Sequence, residues 1–372
     1  MWFALYGMTF LLILGRLPHF IKLALKDKLL LLLVGLAFIS VAWSREPAVT
    51  LRRSLALIGT TLFGMYLAMR FSLREWLTLL AWALGLAALL SLVFALLIPS
   101  WGVMQHIHEG SWRGIYVHKN ILGRIMVIAM LALILLQHKR GLRAIVKWLL
   151  VTLAIGLVVL SGSATALVIA FMLLVLLPLF RALRWQVTLV IPLVIILVLA
   201  GGAIATWLVA NYEPLLLALG RDATLTGRTE LWGAMVHAGL EKPLLGYGFG
   251  AFWLGYSSPA GSVWQAVRWE PLHGHNGYLD LWLELGLIGA VIYLVWLVSI
   301  AGRAIHYLRC NFHAAALWPP LFLSLTLVYN LVESNILQQN HLIWVLFVAT
   351  AYSLARPYRQ LQFTTPTRSS EQ

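Results

Sequence analysis

"EWLTLLAWALGLAALLSLVFALLIP", Glu75–Pro99, carries a single charge in 25 residues, and that charge is its first residue. At 1.5 Å per residue a helix of this length covers about 37 Å, more than the roughly 30 Å of a bilayer's hydrocarbon core. A backbone crossing hydrocarbon must satisfy its own N–H and C=O groups, so the stretch reads as a transmembrane helix. Runs of the same kind recur near 2–19, 28–44, 54–70, 120–137, 145–160, 163–180, 185–210, 277–301, 314–332 and 340–355, which makes about eleven spans, within a range of ten to twelve. Hydrophobic residues make up 61% of the 372 and charged ones 11%, against roughly 45–50% apolar usage in soluble domains. The fold class expected is therefore an all-α polytopic membrane protein.

The formal net charge is +14. The lysines and arginines sit in short clusters between apolar runs and not along one basic face, which argues against nucleic acid as a partner. Taking alternate loops, one set holds seventeen of the 27 basic residues. The positive-inside bias puts that set, including "QHKRGLRAIVK" (137–147) and the C-terminal tail, in the cytoplasm. The opposite side receives one large loop, 209–276. The organisation expected is transmembrane helices over 1–208, an external loop subdomain over 209–276, further transmembrane helices over 277–355, and a cytoplasmic tail over 356–372. Cys310 is the only cysteine, so no intramolecular disulfide forms. The first apolar run lacks a basic n-region and a small-residue cleavage site, and reads as a retained helix.

Polar residues concentrate where the large loop meets the next span. In "HGHNGYLDLWLELGLIGA" (273–290), His275 and Asn276 stand at a helix mouth, with Asp280 and Glu284 spaced i, i+4 behind them. An imidazole with an ordinary pKa near 6.5 serves as a general base, whereas a lone interfacial histidine more often caps a helix. The two carboxylates shift the balance, because intramembrane acids are costly and face a cavity or a partner, and one of them is expected to orient the imidazole. In the same loop Arg221 ("GRDATL") and Arg228 ("GRTELW") offer planar forks suited to phosphate oxygens, although each also has an adjacent acid to pair with. A third stretch, "SWRGIYVHKNILGR" (111–124), brings Arg113, His118, Lys119 and Asn120 to the external entry of a span. Snorkelling and an aromatic belt explain it equally well.

Other signals carry less. "GYGFG" (246–250) resembles a phosphate loop only superficially, since no strand precedes it. The pairs His106/His108 and His273/His275 are spaced tolerably for a metal, but no cysteine or acidic cluster completes a four-ligand set, so no metal is expected. "SGSATA" (161–166) reads as a small-residue hairpin whose role is helix packing.

Taken together, these residues resemble the O-antigen ligase and polysaccharide polymerase superfamily. Its histidine motif is His, then Asn, Ser or Gln, nine residues, Gly, two residues, and Gly, Thr or Tyr. His275, Asn276, Gly286 and Gly289 match it in register. "GRTELW" followed by "PLLGYGFGAF", and the spacing from Arg221 to Leu225, look like the arginine-bearing external loop. "WRGIYVHKN" and "GRDATLTGRTELW" look most like the exopolysaccharide-production polymerase branch. Many ligases carry Ser-Arg-Gly where this chain has Ala164 and Thr165 after Ser163, a departure that favours a polymerase over a lipid A-core ligase.

The resemblance implies a membrane-type glycosyltransferase of the GT-C-like class in a bacterial inner membrane, its site facing the periplasm. It implies metal-independent, inverting transfer or polymerisation of a glycan from an undecaprenyl-pyrophosphate donor to a saccharide acceptor, with no cofactor. Its partners would be membrane lipid and proteins of chain-length control or export. His275 would be the general base, with Arg221 and Arg228 on the departing pyrophosphate. Substrate contacts would come from Arg113, Lys119, Asn120, Asn276, Asp280, Glu284 and Tyr247, and Trp232, Tyr247 and Trp253 could stack on sugar rings. Two other readings stay open. One is an O-antigen ligase acting on lipid A-core; the other is a transporter or flippase of lipid-linked saccharide, in which the arginines guide substrate and His275 couples protons.

Overall fold

The computed structural model describes residues 2–105, 108–137, 140–185, 188 and 227–355. Among the described residues nine α-helices precede the large loop: α1 (Trp2–Leu14), α2 (Leu17–Ala24), α3 (Lys28–Ile39), α4 (Pro47–Arg70), α5 (Leu73–Leu97), the single turn α6 (Pro99–Gly102), α7 (Lys119–Ile134), α8 (Leu142–Leu160) and α9 (Ala164–Ala182). The described part of the loop region holds two short helices, α10 (Arg228–Glu241) and α11 (Ala260–Val267). They are followed by α12 (Gly277–Cys310), α13 (Trp318–Tyr329) and α14 (Leu342–Leu354). Among the described residues the only β-pairing is an isolated bridge between Val103 and Trp112.

Among the described residues four helices, α5, α8, α9 and α12, are long and apolar enough to cross a membrane, and a fifth span is added if α1 and α2 count as one. The outward faces of α5 and α9 carry exposed leucine, valine and phenylalanine, among them Leu97, Val168 and Phe171. Such a surface needs lipid around it, and the chain is a multi-pass membrane protein.

The described helices depart from the expected spans in two respects. The first span is no straight helix over 2–19: α1 and α2 meet at 101°, because Arg16 leaves helical geometry and Pro18, which lacks an N–H, opens a new helix. The segments α3, α13 and α14 are apolar but only 12 or 13 residues long. The expected span 185–210 falls almost wholly outside the described residues.

Inside the bundle, α7 is the central element. Every residue from Ile125 to Leu133 is buried, as an element apolar all round requires, and it packs among α5, α8 and α9. A Cβ on Gly123 would come within 3.0 Å of Ala166, Ser161 and Ser163. The small residues of "SGSATA" thus admit α7 to the α8–α9 turn. Likewise α14 lies along α4, whose buried face is small or hydroxylic, with Ser54, Thr60, Thr61 and Gly64. The Trp344 indole N–H donates to the Thr61 hydroxyl at 3.0 Å. That indole N–H is thereby satisfied within the bundle.

The feature that positions the site is a break in α12 at Gly286, where φ is 65° and ψ is −171°. In an unbroken helix the amides of Leu287 and Ile288 would donate to the carbonyls of Leu283 and Glu284. Here Leu287 N–H donates to Pro243 at 2.8 Å and Ile288 N–H to Leu244 at 3.3 Å. The two carbonyls left over accept from Tyr247 N–H at 2.8 Å and Gly248 N–H at 3.0 Å. The loop after α10 therefore takes over the hydrogen bonds that the kink releases, which is the condition for irregular backbone beside a membrane helix. Only glycine fits at 286: the left-handed φ disfavours a side chain, and a Cβ would stand 2.0 Å from the Leu244 carbonyl oxygen. The same loop is pinned from its other side, where the Arg53 guanidinium donates to the Gly250 carbonyl at 2.6 Å and Phe249 N–H donates to the Ser40 hydroxyl at 3.0 Å.

Candidate active site

The turn His273–Asn276 sits at the head of α12, and its conformation follows from three anchors. Asn276 is the N-cap, its Oδ1 accepting from Tyr278 N–H at 3.1 Å and Leu279 N–H at 3.2 Å. Gly277 N–H donates to the Asn330 carbonyl at 2.8 Å, which ties the turn to the end of α13. Gly274 is enclosed: its N–H donates to both Asp280 oxygens, at 3.2 and 3.0 Å, and its carbonyl accepts the Trp232 indole N–H at 3.0 Å. Between these anchors His275 takes a left-handed φ of 50°, uncommon for a residue with a side chain, and its own N–H donates to His273 Nδ1 at 3.2 Å.

The two imidazole rings lie 4.1 Å apart between centroids, and the Trp269 ring is 6.4 Å from His275. His273 Nε2 is 3.8 Å from a Glu333 carboxylate oxygen. Arg228, the first residue of α10, donates to the Val332 carbonyl at 3.4 Å. Arg124, on α7, donates to Asn335 Oδ1 at 2.8 Å and lies over the Tyr329 ring at 5.6 Å. Burial, then the charge-type influence of His273, then that of Arg228, push His275 down to about 4. Burial lowers His273 too, helped by Arg228 and Arg124. Burial raises Glu333, while Arg124 and Arg228 oppose that rise. The arrangement is a pair of neutral imidazoles and one carboxylate, faced by two fixed positive charges.

Of the residues expected from the sequence, His275, Arg228, Asn276 and Asp280 come together here. Arg221 lies outside the described residues. Asp280 is buried and serves the backbone: besides Gly274 it accepts the Trp253 indole N–H at 2.8 Å and the Ser334 hydroxyl. Glu284 lies a turn further along α12, near the Gly250 amide and Arg53. Among the described residues neither carboxylate bonds the His275 imidazole, which departs from the expectation that one of them orients it. Tyr247 is buried, and its hydroxyl donates toward the Ala238 carbonyl and the Glu241 carboxylate, both at 2.8 Å. It belongs to the small core of the loop subdomain with Leu231, Met235, Phe252 and Trp264. Arg113 donates from Nε to the Trp101 carbonyl at 2.7 Å, and so holds α6. Lys119 Nζ donates to the Gly162 carbonyl at 3.3 Å, and Asn120 N–H to His118 Nδ1 at 3.2 Å. Among the described residues no bond joins these three to His275.

The sequence reading missed Arg124 and Glu333, and weighed His273 only as half of a metal-spaced pair. A signal existed for Arg124, an arginine within an apolar span. None existed for Glu333, which reaches the turn from a loop beyond the next helix. Glu333 also bears on metals: His273, His275 and Glu333 offer possible ligand atoms within 4.8 Å of one another. Two histidines and a carboxylate are a familiar set for a divalent ion. The guanidinium charges facing the same three groups work against such an ion.

Residues 148–294 match a family model described as O-Antigen ligase. The chain is 35% identical over 104 residues to the exopolysaccharide production protein ExoQ of Rhizobium meliloti, a stretch covering 27% of this chain and 24% of that protein. It is 26% identical over 130 residues to a putative polysaccharide ligase of Rickettsia felis, covering 33% of this chain and 32% of that one. The aligned stretches thus span only about a quarter to a third of these relatives. Both comparisons support the O-antigen ligase and polysaccharide polymerase-like family that the histidine motif resembles. The matched region contains Arg228, His275, Gly286 and Gly289, while Arg124 and Glu333 lie outside it.

Proposed function

We propose that the protein polymerises or ligates polysaccharide, transferring a glycan from undecaprenyl pyrophosphate to a sugar hydroxyl on the periplasmic face of a bacterial inner membrane. The observation that carries this reading is His275, a neutral imidazole beside Arg228 at the mouth of a membrane helix, with Nδ1 bonded to nothing among the described residues. In the proposed step, His275 takes the proton of the acceptor hydroxyl. The acceptor oxygen forms a bond to the anomeric carbon while the bond from that carbon to the pyrophosphate oxygen breaks, inverting the centre. The electron pair leaves with the lipid pyrophosphate, whose charge Arg228 and Arg124 would neutralise, with Arg221 given the same task from its place in the sequence. The energy comes from the glycosyl pyrophosphate bond, so the step calls for no nucleotide.

A polymerase acceptor is favoured by the resemblance to the exopolysaccharide relative, and lipid A-core is the acceptor of the second reading. In the sequence the candidate site residues concentrate at one membrane face, which favours chemistry there over transport. The test is mass analysis of products from the purified full-length protein in nanodiscs, given undecaprenyl-pyrophosphate glycan and a saccharide acceptor. Lengthened or transferred glycan with release of undecaprenyl pyrophosphate supports the proposal. Movement of donor across a liposome membrane with the glycan unchanged would replace it with the transporter reading.

A further inference from the structure

With Asp280 and Glu284 engaged elsewhere, the imidazole of His275 needs another orienting group. We propose that His273 and Glu333 form a positioning pair for His275: His273 fixes the backbone that presents the imidazole, and Glu333 sets the tautomer of His273 and supplies the compensating charge. This inference rests on the functional reading given above.

The geometry dictates the proton placement. His273 Nδ1 accepts the N–H of His275 at 3.2 Å, so that nitrogen carries no hydrogen. A neutral imidazole has one N–H, which then sits on Nε2, the atom 3.8 Å from Glu333 Oε2. That separation is within the reach of a charge but beyond a direct hydrogen bond. Glu333 therefore favours the tautomer that keeps Nδ1 free to accept. The bond it protects ends on the N–H of His275, the residue held at a φ of 50°.

The second part concerns charge. Any proton that His275 gains arises within a ring 4.1 Å from His273 and beside Arg228, while Arg124 acts on His273. Glu333 is the acid facing this group: from α10 comes Arg228, from α7 Arg124, from the turn itself the two histidines, and from the loop after α13 Glu333. Once a pyrophosphate engages the guanidiniums, the carboxylate is free to stabilise the imidazolium that forms as the acceptor loses its proton. Neither His273 nor Glu333 is assigned any contact with substrate, so both are positioning residues.

Steady-state transfer kinetics on the full chain separate this role from a purely structural one. Glu333→Gln keeps size and removes charge. His273→Asn keeps an acceptor near the place of Nδ1 and loses the reach to Glu333. Each is expected to lower kcat by roughly 10–100-fold, with KM within about twofold of wild type. Adding Glu333→Gln to His273→Asn should cost less than about threefold more, because the two act through one path. His273→Ala, which also loses the backbone bond, should fall below His273→Asn. Wild-type kcat in Glu333→Gln, or losses that multiply in the double variant, would overturn the inference. If Glu333→Gln fails to fold, Glu333→Asp and His273→Asn carry the same comparison. The His275→Ala control separates the two claims: if it is inactive while Glu333→Gln runs at the wild-type rate, only the positioning pair fails. If His275→Ala is itself active, the general-base reading fails.

Discussion

At the scale of single residues, the state of His275 sets a pH dependence. A general base acts when unprotonated, and kcat/KM reports the free enzyme. With His275 held down to about 4, kcat/KM should rise with pH through about 4 and then stay flat toward neutrality. Arg228→Gln removes a neighbouring positive charge, which favours the protonated ring, so the limb should move to higher pH even as the rate falls. A limb that stays in place or moves lower would contradict the coupling of Arg228 to His275. Asp280 gives a different prediction. Its removal leaves the Gly274 N–H and the Trp253 indole N–H without their acceptor, at about 1–3 kcal/mol each. Asp280→Ala should therefore lower the thermal midpoint in detergent well below that of a surface substitution; an unchanged midpoint would remove Asp280 from its anchoring role. The histidine, the arginine of α10 and the capping asparagine were legible because each stands next to a chain landmark. Glu333 was not, since only tertiary packing brings it to the turn, and for Arg124 the one signal was a charge within an apolar span.

At the scale of elements, the kink in α12 carries the argument. Gly286→Ala meets both a left-handed φ and a carbonyl oxygen 2.0 Å from the new Cβ, so a destabilisation of about 1–3 kcal/mol or more is expected. Gly302→Ala, in the same helix, has nothing within 4 Å of its Cβ, and alanine is the better helix former by about 1 kcal/mol. The two substitutions should move the thermal midpoint in opposite directions, and equal shifts would contradict the kink. The apolar runs themselves predicted most helices, because length and composition suffice for that. They could not predict the break: a glycine in an apolar run reads as tolerated, and the exchange of hydrogen bonds depends on Pro243–Gly248, about forty residues earlier. The bend between α1 and α2 was readable in principle from Pro18, but the continuity of hydrophobic residues masked it.

At the scale of the whole molecule, the proposed orientation rests on the positive-inside bias of the basic residues, and the His273–Asn276 turn, the Arg228 end of α10 and the Glu333 loop come together. A topology reporter fused after Lys242 should report the periplasm, and a cytoplasmic signal would invert the orientation on which the lipid-linked donor depends. The central claim is that His275 is the base for glycosyl transfer. The most direct measurement is the rate of glycan transfer by purified His275→Ala against wild type at saturating donor and acceptor, each checked for an unchanged thermal midpoint. A loss of roughly 10²–10⁴-fold in kcat is predicted. Transfer by His275→Ala at the wild-type rate would contradict it.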